Sequence, residues 1–225
     1  MTALLFGSIG TIVETSELQH RAFNLAFEKH GLDWHWDREN YEEMLKVSGG
    51  VKRIEGYAAR KGAEVDAKAI HATKTEIFLD LLKGGDVPIR PGVVDLLTHA
   101  RDKGMKTGFV TGTEEATVEI VLGLLKDAGA PDFDVVTSRS LGLAEKPDPA
   151  IYRAALSRLV VDGKRVVVVE DNVDGVAAAK AAGLHVIGSP GAYAGPDDLA
   201  GADIVAEDLH AAGVDAVDRI ADSAA

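Results

Sequence analysis

Three places in the chain combine residue types that can hold a phosphate between them. Thr111-Gly112-Thr113-Glu114 follows the apolar run Thr107–Val110. A hydroxyl at the end of a buried strand, then glycine and a helix start, presents side-chain and backbone donors to an anion. The same residues also suit an ordinary helix N-cap. Lys146 stands in Ala144-Glu145-Lys146-Pro147-Asp148-Pro149, beyond the run Asp134–Thr137. A proline-locked turn can present its ammonium to a phosphate, although most lysines simply lie in solvent. Glu170 and Asp171 close the β-branched run Val166–Val169. Adjacent carboxylates beside a buried strand need compensation, and oxygen-rich sites of this kind attract Mg²⁺. Capping of the next helix by Asp171 or Asp174 is the alternative. Hydroxyl, lysine and acid pair occur in that order after successive strands, a combination far more specific than any one of them.

These groups share a site only if the strands before them lie side by side with their carboxyl ends together. Buried strands are expected at Leu4–Phe6, Thr107–Val110, Asp134–Thr137, Val166–Val169 and His185–Ile187, with a weaker one at Asp203–Val205. From Thr107 onward they alternate with helical segments, and Pro91–Lys103, Glu114–Asp127, Pro149–Leu159 and Val173–Ala182 read as helices. Gly104, Gly129 and Gly183 stand just past three of these, where a helix end favours positive φ. The alternation implies an α/β fold, a doubly wound, Rossmann-like parallel sheet. Ser16–Asp86 differs: Leu18, Ala22, Leu25 and Ala26 recur at helical spacing, and Tyr41–Lys46, Val51–Arg60 and Ala67–Leu82 also read as helices. A helical insert (16–86) therefore interrupts an α/β domain (1–15 and 87–225). Gly84-Gly85 and Pro88–Gly92 make a plausible hinge, and Ala216–Ala225 reads as a fraying tail.

Composition narrows the partners. The 225 residues carry 46% hydrophobic and 27% charged residues, ordinary for a soluble globular chain. The net charge of −12 disfavours nucleic acid and anionic lipid, which reward clustered Lys and Arg. With no cysteine, disulfides, Cys zinc sites and thiol catalysis are excluded. Neither a signal peptide nor a membrane span is expected, and the default location is cytoplasmic. His20, His30 and His35 form no metal-ligand pattern, and Trp34 and Trp36 are expected to pack in the insert.

The ordered set resembles the haloacid dehalogenase superfamily, in its sugar-phosphate phosphatase and phosphomutase branch. Val110-Thr111-Gly112-Thr113 looks like its second motif, Glu145-Lys146-Pro147-Asp148-Pro149 its third, and Glu170-Asp171-Asn172 with Gly175-Val176 its fourth. Ala22-Phe23-Asn24, the stretch from Asp33 to Glu39 and Gly49-Gly50-Val51-Lys52-Arg53-Ile54 are similar to the CbbY subgroup. The resemblance covers essentially the whole chain. It implies that the insert is a helical cap with substrate contacts from Gly50, Lys52 and Arg53. It also implies that Thr111, Gly112 and Lys146 bind phosphate, with Glu170 and Asp171 holding Mg²⁺. The implied ligand is a small phosphorylated sugar, such as xylulose 1,5-bisphosphate, or inorganic phosphate.

The first motif departs from the pattern. The family has Phe-Asp-x-Asp-Gly-Thr; here Phe6-Gly7-Ser8-Ile9-Gly10-Thr11 stands in its place. Gly7 occupies the position of the nucleophilic aspartate and Ile9 that of the acid/base aspartate. Losing a nucleophile from a concerted set costs about a millionfold in rate, or ~8 kcal/mol of barrier. Strand alternation is expected to turn Ser8 to the opposite face, and Glu14 lies further along, so neither reads as a substitute. With one charged ligand missing, Mg²⁺ binding is expected to be weak or absent. The leading expectation is a catalytically impaired phosphatase-like protein that still binds a sugar phosphate. An active Mg²⁺-dependent phosphatase using another nucleophile or direct water attack stands as the alternative. A receiver-like or nucleotide-binding sheet is weaker, since no Gly-x-Gly-x-x-Gly loop is present.

Overall fold

The computed structural model describes residues 2–45, 49–84 and 87–223. The expectations for Lys46, Gly85, Asp86 and the extreme ends lie outside them. The chain forms two compact units, one from residues 1–14 and 88–225, the other from residues 15–87.

In the first unit, six strands form one parallel sheet in the order β3-β2-β1-β4-β5-β6. They are β1 (Ala3–Phe6), β2 (Lys106–Val110), β3 (Val135–Thr137), β4 (Val166–Glu170), β5 (His185–Gly188) and β6 (Ile204–Val205). Every residue of β1 and β4 is buried, as expected for central strands covered on both faces. That burial explains why Ala-Leu-Leu-Phe and Val-Val-Val-Val-Glu show no polar alternation. The chain builds β2 and β3 on one side of β1, then β4 to β6 on the other. The β1–β4 boundary is thus the switch point of the sheet, where open α/β folds bind ligands.

The helices of this unit are α5 (Val93–Asp102), α6 (Glu115–Asp127), α7 (Ala150–Leu159), α8 (Val173–Ala181) and α9 (Ala211–Ser223). Helix α7 buries Ile151, Tyr152, Ala155 and Leu159 against strand residues such as Leu5, Val166 and Val168. Gly104, Gly129 and Gly183 take φ of 67°, 76° and 77°, as their helix-end positions require. Two expectations need correction. Helix α5 starts at Val93 rather than Pro91, because Gly92 takes a left-handed φ of 84° at the N-cap. The tail is not a frayed coil through its length: α9 reaches Ser223, and Ala216 and Val217 are fully buried.

The second unit contains α1 (Ser16–Lys29), α2 (Arg38–Leu45), α3 (Gly50–Lys61) and α4 (Ala67–Gly84). Its core is aromatic. Trp34 and Trp36 are 6% and 0% exposed, with Trp36 packed on Phe23 and Phe27 at ring separations of 4.9 and 4.8 Å. Both tryptophans therefore pack as expected. Among the described residues, no helix is long and apolar enough to cross a membrane.

Helix α4 also carries Lys74, which periodicity leaves unremarked. Its ammonium bonds Gln19 Oε1 and lies 5.0 and 4.9 Å from the rings of Phe23 and Phe78. Burial first, then the Arg53 charge, lowers its pKa from 10.5 to about 7. Unfolding restores the ordinary value, so from pH about 7 to 10.5 the unfolded chain binds more protons than the folded one. Stability should therefore rise with pH across that window. Lys74→Met should flatten the rise and raise the melting temperature at pH 7. Thermal melts of both proteins across the window check this; identical pH slopes would count against a neutralised Lys74.

Candidate functional site

The site lies at the carboxyl ends of β1, β2 and β4. The chain leaves β1 at Phe6, and Gly7 N–H still donates to Val169 O at 2.9 Å, holding the loop against β4. Glu170 is the last residue of β4 and is fully buried. Its carboxylate is met from four directions. Oε1 accepts from Lys146 Nζ at 2.7 Å and from Tyr152 Oη at 2.7 Å. Oε2 accepts from the Asp171 N–H and from Asn172 Nδ2, both at 3.1 Å. Burial pushes the Glu170 carboxyl up, and the Lys146 ammonium opposes that rise. With an ammonium and three further donors around it, the ionised form is the one this cage suits. Burial and then the Glu170 charge hold the Tyr152 phenol well above its ordinary value, so it remains a donor.

Lys146 ties the three strands together. Its side chain is 14% exposed. Besides Glu170, its ammonium bonds Gly7 O, Val110 O at 3.2 Å and Tyr152 Oη at 3.1 Å, and it lies 4.6 Å from the Tyr152 ring centre. It is therefore not a solvated surface lysine. An ammonium has three protons and faces four acceptors here, so at least one proton is shared between two of them.

The vacancy left at residue 7 is filled. A Cβ built on Gly7 would overlap Glu170 Oε1 and Tyr152 Oη, and one on Gly175 would overlap the Glu170 carboxyl group. A Cβ on Gly10 would overlap Asp171 Oδ2. These glycines give the two acids their room.

Ser8 requires a correction. Its hydroxyl donates to Asp171 Oδ1 at 2.6 Å, so it turns into the site rather than away from it. The two-residue alternation stops with the strand at Phe6, and a single helical turn begins at Ile9. The capping alternatives also resolve. Asn172, not Asp171 or Asp174, caps α8, through Oδ1 to the Gly175 N–H at 2.8 Å. Thr111 Oγ1 accepts from the Thr113 N–H at 3.2 Å within the loop, and α6 begins after Glu114 without a side-chain cap. Among the described residues, the backbone N–H groups of Ile9, Gly10 and Gly112 have no protein acceptor. They lie in the loops after β1 and β2.

Gly50, Lys52 and Arg53 belong to the second unit, in the first turn of α3. Lys52 is exposed, Arg53 is half-buried, and Gly50 packs so closely on His71 that a Cβ would overlap its ring. The sequence reading missed Tyr152, Ser8 and Arg90. Tyr152 had a legible signal, six residues beyond Lys146 on the apolar face of α7. Arg90 did not: it is buried, and it clamps Gly10 O, Ser189 O and Oγ, and Pro190 O at 2.7 to 3.0 Å, contacts set by distant loops.

The residues do not fit the Mg²⁺ that the family implies. The lone pairs of Glu170 are occupied by four donors, and Asp171 Oδ1 accepts from Ser8 and, at 2.8 Å, from Asn172. Among the described residues, no group of three or more His, Asp or Glu side chains is placed to hold a metal.

Removing Lys146 would leave Glu170 buried without its counter-charge. Lys146→Met should cost about 3–5 kcal/mol of stability in urea unfolding, and adding Glu170→Gln should recover part of it. A loss below about 1 kcal/mol, the size typical of an exposed pair, would contradict a buried ion pair.

Comparison with known proteins gives the family. A family model described as haloacid dehalogenase-like hydrolase matches residues 1–183. Protein CbbY of Cereibacter sphaeroides is 41% identical over 205 residues, 89% of each chain. The crystal structure of CbbY from Rhodobacter sphaeroides in complex with phosphate superposes with a TM-score of 0.79 at 38% identity, covering 96% of this chain and all of that one. A mutant of that protein in complex with xylulose-(1,5)bisphosphate also gives 0.79, at 37% identity, covering 95% and 97%. Motif order, the site at the sheet's switch point and whole-chain similarity converge, and the chain belongs to the haloacid dehalogenase-like hydrolases, among the CbbY-like proteins.

Proposed function

We propose that this protein binds phosphate or a small phosphorylated sugar at the carboxyl ends of β1, β2 and β4, and that its phosphatase turnover is severely impaired. The observation that carries this reading is the filled space at residue 7. Where the family has its nucleophilic aspartate, the Glu170 carboxylate and the Tyr152 phenol occupy the volume a side chain would need. Glu170 is no substitute nucleophile, because it is fully buried and held by four donors. Ile9 has no proton to give a leaving group. Binding is supported by what remains: the N–H groups of Ile9, Gly10 and Gly112, and the Lys146 charge.

The CbbY relative crystallised with a xylulose bisphosphate makes a sugar bisphosphate the first ligand to try. We assign residues 15–87 the role of the family's cap, with Gly50, Lys52 and Arg53 contributing substrate contacts. A cytoplasmic setting agrees with the absence of cysteine.

Turnover of a sugar bisphosphate in Mg²⁺ buffer is expected to lie about a millionfold below that of an intact site. A kcat in the ordinary enzyme range, about 1–10³ s⁻¹, would overturn the reading in favour of an active phosphatase. Gly7→Asp with Ile9→Asp returns the two carboxylates of the family pattern and should raise Mg²⁺-dependent activity by at least about a hundredfold. A folded double variant with no gain would show that the lost carboxylates are not what limits the site.

A further inference from the structure

We propose that the anion site at the carboxyl ends of β1, β2 and β4 works without a divalent metal, with Lys146 as its resident cation. The inference rests on the phosphate-binding reading above and adds how the charge of the bound anion is met.

Asp171 Oδ2 apart, the lone pairs of the site's oxygens are already taken. An ionised carboxylate offers about four lone-pair directions. Those of Glu170 go to Lys146, Tyr152, the Asp171 N–H and Asn172. Asp171 Oδ1 serves Ser8 and Asn172. The Ile9 carbonyl accepts the N–H groups of Ile12 at 3.1 Å and Val13 at 2.9 Å. Mg²⁺ requires near-octahedral oxygen ligands at about 2.0–2.1 Å, and a lone pair already filled by an N–H or ammonium is closed to it. Asp171 Oδ2 is what these groups leave. Recruiting Glu170 would mean breaking its buried ion pair and stripping a hydrogen bond from Tyr152.

Relative to an Asp-x-Asp motif, Gly7 and Ile9 remove two negative charges, and Mg²⁺ would add two positive ones. An arriving phosphate therefore meets the same net charge in this metal-free site as in a metal-loaded site that kept both aspartates. A dication would instead face two fixed cations, Lys146 on Glu170 and Arg90, whose guanidinium feels the charge of Asp171.

The test uses the whole protein at near-physiological salt, so that its net charge of −12 does not gather ions non-specifically. Mn²⁺ serves as the metal probe, followed by the spin-resonance signal of the free ion; inorganic phosphate is titrated by calorimetry in EDTA and in excess Mg²⁺. The free Mn²⁺ signal should be unchanged by the protein, and the phosphate affinity should agree within a factor of about two between the two solutions. One saturable Mn²⁺ per chain, displaced by Mg²⁺, would overturn the metal-free inference alone. So would phosphate affinity rising about tenfold or more with Mg²⁺. Phosphate heat absent from both solutions would overturn the phosphate-binding reading, and this inference with it.

Discussion

The buried pairing of Lys146 with Glu170 is the constraint on which the rest of the site depends. A carboxylate with no solvent exposure at the end of a central strand is untenable without compensation. Here the compensation comes from an ammonium 2.7 Å away, a phenol, an amide side chain and a backbone N–H. Because the same ammonium also bonds the carbonyls of Gly7 and Val110, the pair fixes the loop after β1 and the end of β2 against β4. Neutralising one charge thus sets the relative position of three strand ends. A pair of this kind is weak evidence of net stabilisation, since desolvation opposes the Coulomb gain. Its consequence is positional.

The glycines around the pair follow from it. Gly7, Gly10 and Gly175 stand where any Cβ would overlap Glu170, Tyr152 or Asp171. In the family pattern, residue 7 carries the reacting carboxylate. In this chain the loss of that side chain and the inward seat of Glu170 form one steric arrangement. The loss of carboxylates and the saturation of the remaining ones act in the same direction. On the reading proposed above, both weaken the case for a divalent cation, while backbone donors and a positive charge remain for an anion. Under that proposal family membership and retained chemistry separate, as fold and function can when the site is what changes.

Much of the fold was legible because buried parallel strands write themselves plainly. Ala-Leu-Leu-Phe and Val-Val-Val-Val-Glu have no polar alternation, and their ends agree with the sequence reading to within a residue. The helical insert was legible from its 3.6-residue spacing. Lys146, Glu170 and Asp171 stood out as a set in the sequence because each stands at or beyond the end of an apolar, strand-like run. Ser8 was misplaced because alternation was carried past the point where the strand ends. Lys74 and Arg90 were missed because their burial depends on rings and loops far away in the chain.

By itself, then, the sequence determined the strand and helix types, the order of the motif residues and the absence of carboxylates at positions 7 and 9. Local patterning and residue identity decide those. Only the tertiary structure decided what surrounds those two positions. Whether the space beside Gly7 stays open to a ligand or is filled depends on Glu170 and Tyr152. Those groups lie 163 and 145 positions away along the chain, brought there by the pairing of β1 with β4 and the packing of α7. Hydrogen-bond saturation is a property of that assembled neighbourhood, and no spacing rule in the sequence encodes it.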